Sequence, residues 1–380
     1  MGGAKLIDGG VWVLDAAFHA QGLRRPNPFT SSLDAVSEAG AEYSRLLCRA
    51  LGELEMGERQ PEPQLSVPQH DGRVVCATAF GAPYPTWDPL SASWWLDAGW
   101  QAWPGLQTAR EAEEIPIPDW SKNPLVCEMA AKWREVQSRV GAEQAAKLSL
   151  PWTSFPWTHP RTGQTRNMSV FMTFVDLGGF LLGSTRFLTM LAAEPELAAA
   201  LMRKCFELSV SYSRFMDRLY GKKREGVCTF GGDNSCLLSP AMYRAYAMGF
   251  DRLLAAECPG LWRNLHSCGP SSHLYALWGK YPDKDLIVLM QTRAIPGAMR
   301  PLRKALPSTV IQLTVHQPQF DFERARPDRV KALIWELAEA MEFRDGAIGV
   351  LVSSIDERVK ANIRAFNEAI QEVNAEAQRV

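Results

Sequence analysis

The sequence predicts an α/β fold, a (β/α)8 barrel, and three observations carry that reading. From about residue 145 short apolar runs alternate with longer amphipathic stretches. The runs are nearly all apolar, as parallel strands covered on both faces must be. Polar residues able to do chemistry recur just past the C-terminal ends of those runs, where barrels of this kind place their sites. A doubly wound open sheet is the second choice, weakened because no G-x-G-x-x-G follows a strand.

Residues 1–70 are expected to be an N-terminal elaboration of the same domain, and 71–380 the barrel. A helical pattern runs from Ser31 through Leu51, with apolar positions at Leu33, Val36, Ala39, Leu46 and Leu47 and proline-bearing pieces such as Arg25-Pro26-Asn27-Pro28 beside it. Arg73 to Gly81 reads as a short β-like run closed by glycine and Pro83. Glu114 to Trp120 is a proline-stiffened connector, and Leu125 to Val140 an amphipathic helix.

The alternation then begins. Ser169 to Val175 predicts a strand broken by Gly178-Gly179, followed by helices over Thr185–Leu191 and Glu196–Leu219, the second opened by Pro195 at a first-turn position. Gly226 to Phe230 predicts a strand, Gly231-Gly232-Asp233-Asn234 a turn, and Pro240 to Cys258 a helix. Further strands are expected before His266, over Leu286–Met290, Thr309–His316 and Ala347–Val352, and a helix from Arg358 to about Ala377 closes the chain.

Composition excludes some functions. The 380 residues are 46% hydrophobic and 22% charged with a formal net charge of -1, which offers no field for nucleic acid or an anionic membrane. The N-terminus lacks a basic stretch followed by an apolar run, and no segment holds eighteen uninterrupted apolar residues, so a cytoplasmic protein is expected. The eight cysteines are scattered without a C-x-x-C and read as free thiols in a reducing compartment. Thirteen tryptophans are unusual, and six fall between Trp87 and Trp120, either as a wall for a flat ligand or, more commonly for such residues, as packing.

The chemistry gathers at strand ends. His266-Ser267-Cys268-Gly269 sets an imidazole and a thiol two residues apart, which on an extended segment face the same way and can reach one ion. Zinc takes such ligands, and a catalytic zinc keeps one position open. Two ligands are too few, and a buried core histidine beside a small buried thiol is the plain alternative. The other strand ends supply Asp233 and Asn234, Gln291 and Arg293, His316 and Gln317, and Ser353 and Ser354. Together they suit metal binding or proton transfer, although Asp233 as a helix cap and Arg293 as a surface ion pair are ordinary roles for either.

The order of segments resembles the uroporphyrinogen decarboxylase superfamily, in its methyltransferase-like branch that serves corrinoid-dependent methyl transfer. The resemblance covers about residues 74 to 372. It rests on Val74 to Gly81 with the tryptophan-bearing stretch after it, Ile115-Pro116-Ile117-Pro118-Asp119, Phe187-Leu188 to Glu194-Pro195-Glu196, Gly232-Asp233-Asn234 running into Leu238-Ser239-Pro240 and Tyr243, the His266 to Gly269 strand end, and Asn362 to Phe366.

That resemblance implies a TIM barrel with zinc at its mouth, held by the His-x-Cys pair and by a further cysteine after the last strand. It also implies methyl transfer to or from a corrinoid (cobalamin-type) cofactor on a separate protein. Carried over, His266 and Cys268 match two metal ligands and Asp233 the acidic position beside the substrate. The last strand departs from the pattern: Val352-Ser353-Ser354-Ile355 stands where the cysteine is expected, and serine is a poor zinc ligand. Either His316 completes the shell, or no metal binds and His266 acts as acid, base or hydrogen-bond donor.

The expected activity is therefore O-demethylation or a similar demethylation of a small methoxylated or methylated, aromatic or otherwise apolar, compound. Asp233 and His266 would be catalytic, His266, Cys268 and His316 metal-binding, and Asn234, Gln291, Arg293, Trp87 and Trp103 substrate-binding. A metal-free decarboxylase or other lyase using Asp233, His266 and Arg293, and a non-catalytic ligand-binding barrel, are the alternatives. Uroporphyrinogen decarboxylase itself is a poorer match, since Arg24-Arg25-Pro26 is a thin substitute for its N-terminal R-x-x-G-R. Homodimers are common in the superfamily, and the resemblance extends that expectation here.

Overall fold

The structure is a computed structural model, and it describes residues 7–14, 17–18, 21–52, 65, 67–90, 93–96, 100–148, 150, 154–159, 163–170, 172–222, 226–258, 262–315 and 319–379. In chain order the first half holds β1 (Ile7–Val13), α1 (Leu33–Leu51), α2 (Gly72–Ala79), β2 (Thr86–Asp88), β3 (Ser93–Trp95), α3 (Ala109–Glu114), α4 (Pro124–Val140), α5 (Ala142–Lys147), β4 (Ser154–Thr158) and β5 (Thr165–Val170). Helices α6 (Phe174–Leu182), α7 (Ser184–Ala193) and α8 (Pro195–Tyr220) follow. The second half holds β6 (Gly226–Gly231), α9 (Pro240–Met242), α10 (Gly249–Glu257), β7 (Trp262–Ser267), α11 (Tyr275–Trp278), β8 (Ile287–Arg293), α12 (Met299–Ala305), β9 (Val310–Val315), α13 (Pro327–Ala340), β10 (Gly346–Val352) and α14 (Glu357–Ala377). A π-helical turn, Tyr243–Met248, joins α9 to α10.

The strands form an eight-stranded sheet in the order β1-β10-β9-β8-β7-β6-β5-β4. Every neighbouring pair from β1 to β5 is parallel, and β4 closes the row as the antiparallel partner of β5. The fold is thus mixed α/β around a parallel sheet. Among the described residues no pairing joins β1 to β4, so the closed eight-stranded ring expected from the sequence is met by a sheet whose two ends are not hydrogen-bonded to each other.

Several elements differ from expectation for physical reasons. Val74 to Ala79 is helical, not extended: the Asp71 side chain accepts from the Arg73 N–H and caps α2, which buries Val74 through Ala77. A short all-apolar run has no period to tell strand from helix. The strand expected over Ser169–Val175 ends at Val170, and Gly178-Gly179 lie inside α6. They are there for close approach. A Cβ on Gly178 would sit 2.4 Å from the Phe187 ring of α7, and one on Gly179 2.9 Å from the Asn234 amide. Two pieces had no sequence signal: β1, from the segment read as irregular, pairs in register with β10, and β4 makes a hairpin with β5.

Register fixes one face of the sheet. Thr229, Asn264, Gln291 and Gln312 lie on four successive strands and join through their side chains. Asn264 Nδ2 donates to Thr229 Oγ1 (3.3 Å) and to Gln291 Oε1 (2.8 Å), and Gln291 Nε2 donates to Gln312 Oε1 (3.1 Å). Beneath this polar rung Met168, Val227, Leu289 and Val310 form a small apolar cluster separate from the main core. Apolar layers at the strand beginnings and a polar rung toward their C-terminal ends set the stage for a site at that end.

Candidate functional site

Two glycines carry the chain off β6 and place the carboxylate. Gly231 has φ +92° and Gly232 φ +153°, values that L side chains rarely adopt. A Cβ on Gly231 would fall 2.5 Å from the His266 carbonyl oxygen, and the Gly232 N–H donates to that same oxygen (2.8 Å). The turn therefore lies against the end of β7. Asp233 then opens a 3-10 turn with its carboxylate at the β7 terminus.

Asp233 Oδ1, His266 Nε2 and Cys268 Sγ all lie within 4.8 Å of one another. Nε2 is 3.0 Å from the carboxylate oxygen and 3.0 Å from the sulfur, and the Cys268 N–H donates to the same carboxylate oxygen (3.2 Å). The hydrogen bond from His266 holds Asp233 down at about 2, although burial opposes it. Burial would push His266 down, but Asp233 and Cys268 outweigh it and hold the imidazole well above its ordinary value.

The other ring nitrogen is tied back. His266 Nδ1 lies 3.1 Å from Gln291 Oε1. That oxygen already accepts from Asn264, so Nδ1 must be the donor in this contact. Nε2 is left facing the carboxylate and the sulfur, either as a lone pair toward a shared cation or as the second N–H of an imidazolium.

The sequence-derived residues separate into groups. Asp233, His266 and Cys268 meet. Gln291 is turned to His266, and its amide is also bonded to Asn264 and Gln312. Arg293 donates from Nη1 to Gln319 Oε1 (3.1 Å), and among the described residues no carboxylate pairs with it. His316 lies outside the described residues. Ser353 and Ser354 are bound to Glu323, whose Oε1 accepts from the Ser353 hydroxyl (2.9 Å), so the departure at the last strand is built into a local network.

Trp87 and Asn234 line a cavity of about 740 Å³ together with Trp94, Trp95, Trp100 and Phe180. Trp103, like Asp233, His266 and Cys268, is not among its lining residues. It packs edge-on to Phe80 (4.7 Å between centroids), and its carbonyl accepts from Arg186 (3.0 Å), pinning its loop to α7.

Three residues of the region were missed. Asp176 of α6 borders the cavity and accepts from the backbone N–H groups of Asp233 (3.0 Å) and Asn234 (2.7 Å), as well as from the Thr173 hydroxyl. Burial pushes its carboxyl up against the pull of those donors. Its position in an apolar stretch, Phe174-Val175-Asp176-Leu177, was the available signal. Arg73, read as part of a strand, lines the cavity in a 2.5 Å ion pair with Asp71. Cys236 packs against Gly269, where a Cβ would lie 2.0 Å from its sulfur, and burial raises its thiol.

Comparison with solved structures places this fold beside that of a methyltransferase from Methanosarcina mazei, with a TM-score of 0.58 and 13% identity over 98% of this chain and 95% of that one. At that identity the likeness shows the fold alone. A B12-independent methionine synthase from Shewanella, in complex with selenomethionine, overlaps with a TM-score of 0.33 at 8% identity, over 67% of this chain and 90% of that one, too slight to bear on the question. No protein-family model matches the sequence, and no curated protein matches it.

Proposed function

We propose that the chain is a methyl-transferring enzyme on a (β/α)8-type barrel of the uroporphyrinogen decarboxylase superfamily. It would take a methyl group from a small methylated or methoxylated compound and pass it to a corrinoid, carried as the acceptor substrate on a separate protein. The observation that carries this reading is the convergence of Asp233 Oδ1, His266 Nε2 and Cys268 Sγ at one strand end. The overall fold shared with a methyltransferase supports it.

The donor set suits zinc. Oxygen, nitrogen and sulfur from three side chains leave a fourth position open, as catalytic zinc sites require. Asp233 would then be the third ligand, a role that the sequence left to His316. Gln291 fixes the imidazole with Nε2 toward the other two donors, the kind of outer support such histidines receive. When bound, zinc supplies Lewis acidity toward a substrate oxygen, nitrogen or sulfur. The protein's own contribution is positional: Asp176 holds the backbone amides of Asp233 and Asn234, and the tryptophan-walled cavity beyond it would receive the methyl donor.

A second reading is a metal-free lyase. Asp233 and His266 already form an ion pair, and Arg293 has no carboxylate partner among the described residues, so a substrate carboxylate could be held there. A methyl-transfer assay separates the two. Protein loaded with zinc is mixed with reduced cobalamin and candidate methylated compounds, and methylcobalamin is followed by its absorbance. Formation that depends on Cys268 supports methyl transfer. Release of carbon dioxide from carboxylated compounds, with no methylcobalamin formed and equal rates in Cys268→Ala, would support the lyase instead.

A further inference from the structure

The cavity beside the site has a composition that the metal cluster does not explain. Its walls are indole rings, those of Trp87, Trp94, Trp95 and Trp100, with Phe180 of α6. Trp87 and Trp94 face each other across the β2–β3 hairpin, their centroids 5.1 Å apart and their planes at 56°. The indole N–H of Trp87 donates to the Arg25 carbonyl (3.0 Å), which fixes that ring before any ligand arrives. Trp95, at the end of β3, is 59% exposed at the rim.

Charge narrows what such walls would hold. The ionisable side chains on the lining are Asp71, Arg73 and Asp176. Arg73 is paired with Asp71 at 2.5 Å and its guanidinium lies over the Phe180 ring, 5.8 Å from the centroid, so the indole faces are the ones left to a ligand, and Asp176 has no ion-pair partner among the described residues. Indole faces attract cations, and desolvated aromatic boxes of this kind bind methylated ammonium groups. A neutral arene would gain no charge attraction from that carboxyl group, whose bonded partners are the Thr173 hydroxyl and the N–H groups of Asp233 and Asn234.

We infer that this cavity is a cage for a methylated ammonium cation, the methyl donor of the reaction proposed above, on which the substrate role rests. In the transfer the C–N bond breaks with its electron pair left on nitrogen. The methyl group passes to the nucleophilic cobalt of the reduced corrinoid acceptor, and a neutral amine remains. The cage holds the cation through its charge, so the neutral amine is bound less tightly and leaves. Asp176 joins the two regions, since it borders the cavity and carries the backbone N–H of Asp233.

Isothermal titration of the full chain with choline, with its neutral carbon isostere 3,3-dimethylbutan-1-ol, and with 1,2-dimethoxybenzene tests the cage directly. Choline is expected to bind about tenfold or more tightly than either neutral compound. Trp95→Leu, at the exposed rim, should weaken choline by a similar factor with an unchanged circular dichroism spectrum. Equal or tighter binding of either neutral compound, or no binding of any of the three, would overturn the inference. His266→Ala should bind choline as the parent does while losing transfer to cobalamin. Choline binding without transfer in the parent protein would leave the cage standing and count against the methyl-transfer reading.

Discussion

A histidine becomes a dependable ligand only when one ring nitrogen is committed elsewhere, and Gln291 makes that commitment for His266. The amide is itself aligned by Asn264 on one side and Gln312 on the other, so the imidazole is oriented by a chain of contacts running across the sheet. Replacing Gln291 by Leu removes the acceptor at Nδ1 and leaves the three donor atoms in place. Zinc affinity is expected to fall by roughly 10–100-fold, read by competition with a chromophoric chelator, with the melting temperature little changed. An unchanged affinity would mean that the imidazole needs no such support.

At this scale the sequence was legible where chemistry names itself. His266, Cys268 and Asp233 stood out because an imidazole, a thiol and a carboxylate recur together at the C-terminal ends of apolar strands, although each has an ordinary structural role when taken singly. Gln291 was legible as a strand-end polar residue but not as a support for the histidine, because no residue type reveals which way an amide will turn. Arg73 was missed since the segment carrying it was read as a strand, and Asp176 since the start of α6 was read as the end of a strand followed by a break.

Among elements, β6 and α10 meet at Asp251, close to the turn that carries Asp233. Asp251 of α10 is buried and accepts from Tyr281 (2.5 Å), and its carboxyl is pushed up to about 7 by that burial against the pull of Tyr281, the Gly231 backbone and Tyr243. A carboxyl raised in the folded state binds its proton more tightly there than in the unfolded chain, whose ordinary value is 3.8. Stability is then highest below pH about 4 as far as this group is concerned, falls as pH rises through about 7, and is flat above. The loss is on the order of a few kcal/mol. Urea unfolding of Asp251→Asn across pH 5 to 8 should show a flatter profile than the parent. An identical slope in both proteins would show that Asp251 does not titrate in this range.

The glycines of α6 make a second element-scale prediction. Gly178→Ala sets a methyl group 2.4 Å from the Phe187 ring, so α6 and α7 must separate or Phe187 must move. Overpacking of this kind costs about 1–3 kcal/mol. A loss near that size is expected in the denaturant midpoint, and a neutral substitution would show that the two helices have slack. From the sequence Gly178-Gly179 read as the break after a strand, because a paired glycine more often ends an element than lets two elements approach.

For the whole molecule, the alternation of strands and helices from β6 onward was readable because those strands carry short apolar runs and the helices covering them are amphipathic. The ends of the sheet were not. Strand β1, Ile7-Asp8-Gly9-Gly10-Val11-Trp12-Val13, contains two glycines and one charge, and only its pairing with β10 makes it a strand. Gly9 lies against Ile370 and Phe366 of α14, so a residue that weakens strand propensity is required by the packing. Among the described residues no single helix is long and apolar enough to cross a membrane.

The claim on which the account turns is that Asp233, His266 and Cys268 grip one metal ion. Elemental analysis of the protein, purified without chelators, measures this directly. The account predicts close to one zinc per chain in the parent protein and far less in His266→Ala and Cys268→Ala, each still folded by circular dichroism. A parent protein with negligible metal that takes up none from added zinc, or alanine variants that keep the full complement, would contradict it.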